Sequence, residues 1–152
     1  MNVGVITISD RQMKRRLIVV LTFQVFTSCF WDSNFHHEIE RPYYLGVDYG
    51  TNQVCLHWTE IGGSGGTEKI PSKIKEIGWN EKFIIAKQEP VFENGRINYY
   101  IIVMENDSAS CYDCPIGPMT KEEFLLTGDS LGVPKELDFT LKVENFKVIQ
   151  IK

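Results

Sequence analysis

Lys73-Ile74-Lys75-Glu76-Ile77-Gly78-Trp79, Asn80-Glu81, then Lys82-Phe83-Ile84-Ile85-Ala86-Lys87 reads as two strands joined by a short turn. Phe83 to Ala86 is an unbroken apolar run, the pattern of a strand covered on both faces rather than one. Pro90 ends the hairpin, and Glu93-Asn94-Gly95 supplies the Asn-Gly pair favoured where φ must be positive. Ile97 to Met104 (INYYIIVM) then predicts the next buried strand. Connections this short join antiparallel neighbours, so the centre of the fold is a meander. Phe83, Ile85, Tyr100 and Ile102 are its expected core.

Working outward, Tyr43 to Asp48 and Gln53 to Thr59 predict two strands around the turn-rich Tyr49-Gly50-Thr51-Asn52. In the second of these, Val54, Leu56 and Trp58 alternate with Cys55, His57 and Thr59. The Gly-rich run Ile61 to Thr67 lacks the Gly-Lys-Ser/Thr of a phosphate loop and reads as a flexible connection. Downstream, Thr120 and Glu123 form a capping-box pair, with Met119 and Phe124 placed as a hydrophobic staple. They start one helix, with Phe124, Leu125 and Leu131 expected on the sheet side; Gly132 and Pro134 stop it. In the tail, Phe139, Leu141 and Val143 alternate, and the phase slips before Phe146 and Val148. One last strand with a bulge near Glu144-Asn145 accounts for the slip. The fold class is α+β: an antiparallel β-meander of about five or six strands with one helix packed on it.

The N-terminal region follows a different logic. Lys14, Arg15 and Arg16 precede about ten mostly apolar residues from Leu17, and Thr27-Ser28 precede Cys29. A basic, apolar, small-residue order is that of a secretory signal. A membrane span needs about 20 apolar residues, more than this run holds. Phe26-Thr27-Ser28-Cys29 resembles a bacterial lipobox, which implies lipid attachment at Cys29; Phe26 departs from the aliphatic residue usual there. Ordinary cleavage near Ser28 and a buried apolar segment are the competing readings. Residues 1–12 read as an upstream extension, with translation from Met13, or as an N-terminal strand. Residues 13–28 form the signal, 29–42 a tether and 43–152 a single globular domain. The expected location is the cell envelope, with attachment to a membrane through lipid.

Ile77 to Gln88, Asn98-Tyr99-Tyr100-Ile101-Ile102 and Gly117 to Phe124 resemble segments of an uncharacterised bacterial family of small lipoproteins that carry a domain of unknown function. The likeness runs from about Tyr43 to Leu137. It implies an envelope lipoprotein and assigns no catalytic residue.

The whole chain has a net charge of −4; setting residues 1–28 aside removes four bases and one acid and leaves −7. An acidic domain lacks the basic face of a nucleic-acid binder. The three histidines, His36, His37 and His57, form no nucleophile–base pattern, and no cofactor or metal is implied. Cys111-Tyr112-Asp113-Cys114 is a C-x-x-C whose following Pro115 and Pro118 deny it a helix N-terminus, the usual source of a low thiol pKa. In an oxidising envelope these two residues suit a local disulfide. Cys55 and His57 are the further ligands that a zinc site would need, and Cys55 otherwise reads as a buried thiol. The expected function is non-catalytic: a lipoprotein that binds or scaffolds an unidentified envelope protein. The alternative is a thiol–disulfide or metal-binding protein acting through Cys111 and Cys114.

Overall fold

A computed structural model describes residues 35–48, 50–60 and 66–151, all within the second of two units, residues 34–152. The segments read from sequence as a signal, a Cys29 lipid site and an upstream extension, and most of the Gly-rich connection, lie outside the described residues.

Ten strands and one helix are described. The first sheet holds β1 (His36–Glu38), β2 (Tyr43–Asp48), β3 (Gln53–Trp58) and β4 (Thr67–Ile70), in that order. The second holds β5 (Ile74–Trp79), β6 (Phe83–Gln88), β7 (Asn98–Val103), β8 (Ile116–Met119), β9 (Leu141–Glu144) and β10 (Lys147–Gln150), in the order β10-β9-β5-β6-β7-β8. All pairings are antiparallel. Helix α1 (Lys121–Leu131) packs on β7 and β8. The α+β class, the meander and its single helix are therefore present, with the strands divided between two sheets.

The hairpin sits where the sequence placed it. Asn80 Oδ1 accepts from the Lys82 and Phe83 amides, each at 2.9 Å, and so fixes the β5–β6 turn. Both faces of β6 are covered because it is the middle layer of three. Ile84 and Ala86 join Leu45, Leu56 and Ile70 of the first sheet in one core; Phe83 and Ile85 join Ile101, Met119 and Phe124 in a second core under the helix. The four expected core residues are all buried: Phe83, Ile85, Tyr100 and Ile102.

The described residues form ten strands where about five or six were expected, Thr67–Ile70 and Ile116–Met119 among the additions, and three further details differ. The tether expected over residues 29–42 gives way to structure before its end, since His36–Glu38 pair with Gly46–Tyr44 of β2 and Ile39 is buried. A three-residue strand has too little pattern to signal itself, and only its partner defines it. The slip in the tail is a two-residue hairpin turn, not a bulge: Lys147 pairs with Glu144, and Asn145 and Phe146 both take positive φ (49° and 58°). That is the geometry of a type I′ turn, hidden from sequence because Phe stands where Gly usually does. On α1, Phe124 packs inward as expected, while Leu125 (58 % exposed) and Leu131 (37 % exposed) do not face the sheet. The inward stripe is Phe124 and Gly128, four residues apart, and Leu125 lies about 100° around the helix from it. The cap is as read: Thr120 Oγ1 accepts from the Glu123 amide, and Glu123 accepts from the Thr120 amide. Gly132 closes the helix in the left-handed region.

Candidate functional site

Among the described residues, one polar constellation lies inside the domain and another on the outer face of the first sheet.

The inner one is built on Lys69. The β3–β4 register shifts between Leu56 and His57, and Lys69 occupies the extra position beside Glu68. Its side chain is fully buried against the fully buried carboxylate of Asp107, with Nζ 2.6 Å from Oδ1. Lys69 Nζ also donates to the carbonyls of Ser108 and Cys111, the latter at 2.8 Å. The Tyr43 hydroxyl donates to Asp107 Oδ2 at 2.8 Å. Burial, followed by the Asp107 carboxylate, pushes the Tyr43 hydroxyl well above its ordinary pKa, so it stays a donor. Every charge-bearing atom here has a partner, which is the condition for tolerating a charge away from water. The consequence is local order: one ammonium holds the loop from Asp107 to Cys111 against the end of the first sheet.

Cys111 and Cys114 lie in that loop and are joined through their Sγ atoms at 1.94 Å. Pro115 and then β8 follow, so the C-x-x-C leads into a strand and has no helix dipole to activate it. Among the described residues, Asp107, Cys111 and Cys114 form a group of three with ligand atoms within 4.8 Å of one another. It does not suit a metal: the sulfurs are bonded to each other, and Asp107 is held by Lys69 and Tyr43. Because Lys69 already fixes the loop, Cys111→Ser with Cys114→Ser is expected to lower stability by no more than about 2 kcal/mol, the loop-closure term for so short a ring. Urea unfolding of the pair variant checks this; a loss of twice that size would make the disulfide the principal support of the loop.

The outer constellation follows from strand alternation. Cys55 and His57 project to the same face of β3, and Glu68 stands opposite His57 on β4. Cys55 Sγ and His57 Nε2 are 3.0 Å apart. The rings of His36, Tyr44 and His57 stack across β1, β2 and β3, with centroids 4.5 and 5.1 Å apart. Gly46 and Gly66 make room for that stack: a Cβ at Gly46 would come within 2.9 Å of His57 Cδ2, and one at Gly66 within 2.3 Å of the Tyr44 hydroxyl. His57 Nδ1 is buried and has no hydrogen-bond partner among the described residues, so stacking positions the ring. Burial pushes the Cys55 thiol up to about 12, helped by Glu68 and Asp48, and burial lowers the His57 imidazole. Partial desolvation and the charge of Asp48 raise Glu68, whereas the Thr51 hydroxyl and Gly50 amide lower Asp48. Cys55 is therefore a protonated thiol and no nucleophile as it stands.

The structure thus pairs Cys55 with His57 and does not bring either to Cys111 and Cys114, so the four-ligand zinc set is not assembled. His36 and His37 diverge, opposite Gly46 and Leu45. Sequence reasoning missed Lys69, Asp107 and Glu68. Nothing local marks them, because each acquires its role from a partner on another element.

On the far side of the molecule, Phe124, Leu125, Leu126, Val133 and Leu137 line an apolar groove of about 540 Å³ beside α1. No helix among the described residues is long and apolar enough to cross a membrane. Compared with known proteins, the chain matches no curated protein and no solved structure. A family model does match residues 43–147, from the first residue of β2 to the start of β10 and more than half of the chain, and the protein belongs to that family, described as Protein of unknown function (DUF3997).

Proposed function

We propose that the protein is a non-catalytic, lipid-anchored component of the bacterial cell envelope whose domain binds or scaffolds another envelope protein. The observation that carries this reading is the basic, apolar and small-residue order that ends at Cys29. Lipid on Cys29 supplies the membrane attachment, and stable anchoring takes more than one acyl chain. The domain chemistry is compatible with a binding role. Its described thiols are either bonded to each other or buried and protonated, and its most buried charges are spent on holding a loop. The net charge of −7 after Cys29 argues against nucleic acid or an anionic lipid surface as the partner.

Cys29→Ala tests the reading directly. Fractionation of bacterial cells that express the full chain is expected to move the protein from the membrane to a soluble fraction, or to arrest it as the unprocessed precursor. Intact-mass measurement of the unaltered protein is expected to show attached acyl chains. Membrane recovery unchanged by the substitution, with no lipid mass, would overturn it.

A further inference from the structure

We propose that the apolar groove beside α1 is where a second copy of this chain docks, through a two-fold contact in which each copy offers both projecting leucines and the hollow that receives them. The contact adds self-association to the domain and does not depend on the lipid anchor.

The groove carries both halves of such a contact. Ile85, Phe124, Val133 and Leu137 line it and pack together in the core under the helix, so the hollow is backed by packed side chains. Leu125 and Leu126 line it as well, yet both are largely exposed. Two leucines left in water on an eleven-residue helix forgo the burial that drives a helix onto its neighbours. An apolar groove of about 540 Å³ is large enough to enclose side chains brought by another molecule. In a two-fold contact the same patch meets itself, so a projection and a hollow side by side on one surface are covered and filled together.

Charge selects a second copy over other apolar partners. The groove is lined by one acid and one base, Asp129 and Lys135, and among the described residues neither forms an ion pair. Asp129 stands in the last turn of α1, where the helix dipole disfavours a carboxylate and no basic residue of that turn offsets it. Across a two-fold axis each Asp129 faces the Lys135 of the other copy, so one acid and one base per chain make two reciprocal pairs. Such rim pairs fix orientation more than they add affinity. The net negative charge of each copy opposes the approach only weakly, since charges more than about 8 Å apart are screened at physiological salt.

Sedimentation equilibrium of the full chain with Cys29→Ser, from micromolar to millimolar concentration at physiological salt, measures the association. A reversible monomer–dimer equilibrium is expected. Leu126→Asp should weaken it at least about tenfold, the loss typical of an anchor side chain at a contact. Asp129→Lys alone and Lys135→Asp alone should each weaken it about tenfold, because two attractive rim pairs become two repulsive ones. An equimolar mixture of these two variants should dimerise about as well as the unaltered chain, since each supplies the charges the other lacks. All three positions are exposed, and circular dichroism checks that the variants fold. Should Leu126→Asp fail to fold, the charge variants and their mixture decide alone. Dilution separates the copies, so unfolding of dilute protein reports a single chain. A chain that stays monomeric to millimolar concentration overturns the proposal and leaves the groove to another occupant, as does association that survives Leu126→Asp in a folded protein. Association weakened by both single charge variants and not restored in their mixture overturns the two-fold arrangement.

Discussion

Asp107→Ala is expected to lower stability by about 3–5 kcal/mol, the range seen when one member of a buried ion pair is removed. The loss comes less from the pair than from what remains. Lys69 keeps a charge in a fully buried position, and the Tyr43 hydroxyl, itself buried, loses its acceptor. Lys69→Met combined with Asp107→Leu should recover part of the loss, since an apolar pair removes the stranded charge. Recovery stays incomplete because the Ser108 and Cys111 carbonyls still lose their donor. Urea midpoints of the three variants check the ordering. An Asp107→Ala loss below about 1 kcal/mol would mean that water reaches Lys69 and that the hub is a surface ion pair.

Ile84→Ala is expected to cost about 2–5 kcal/mol, the transfer free energy of the removed methylenes plus the cavity they leave. Ile84 is fully buried between the two sheets, with the first sheet over one face of its strand and the helix layer over the other. A site enclosed on both sides cannot collapse inward, which places the cost toward the upper part of the range. Leu126→Ala is the control: that side chain is 74 % exposed and should change stability by no more than about 0.5 kcal/mol. Equal losses for the two would mean that the β6 layer is not the interior of the fold.

The sequence by itself determined the elements whose causes are local. The hairpin at Asn80 was legible because its turn and both of its strands lie within fifteen residues, one of them an apolar run. The helix start was legible because Thr120 and Glu123 cap each other three residues apart. Two-sided burial of β6 followed from an apolar run with no alternation, whichever layers supply the cover. What only the tertiary structure decided are relations between distant positions. Thr140 donates to the Ile77 carbonyl and Leu141 pairs with Ile77, and no periodicity announces which strand a tail will choose. The close passage of the Asp138–Phe139 backbone over Gly78, where a Cβ would meet the Asp138 carbonyl oxygen at 2.0 Å, gives that glycine a reason invisible in its own segment. Lys69 and Asp107 are 38 residues apart, and each alone reads as a solvated charge. Cys55, Val54 and Leu56 are consecutive and all buried, although adjacent strand residues point to opposite faces. Val54 and Leu56 are buried because the second sheet covers them, and Cys55 because His57 closes over it at 3.0 Å. Alternation along a strand fixes which residues share a face, but burial of a face depends on what the rest of the chain lays upon it.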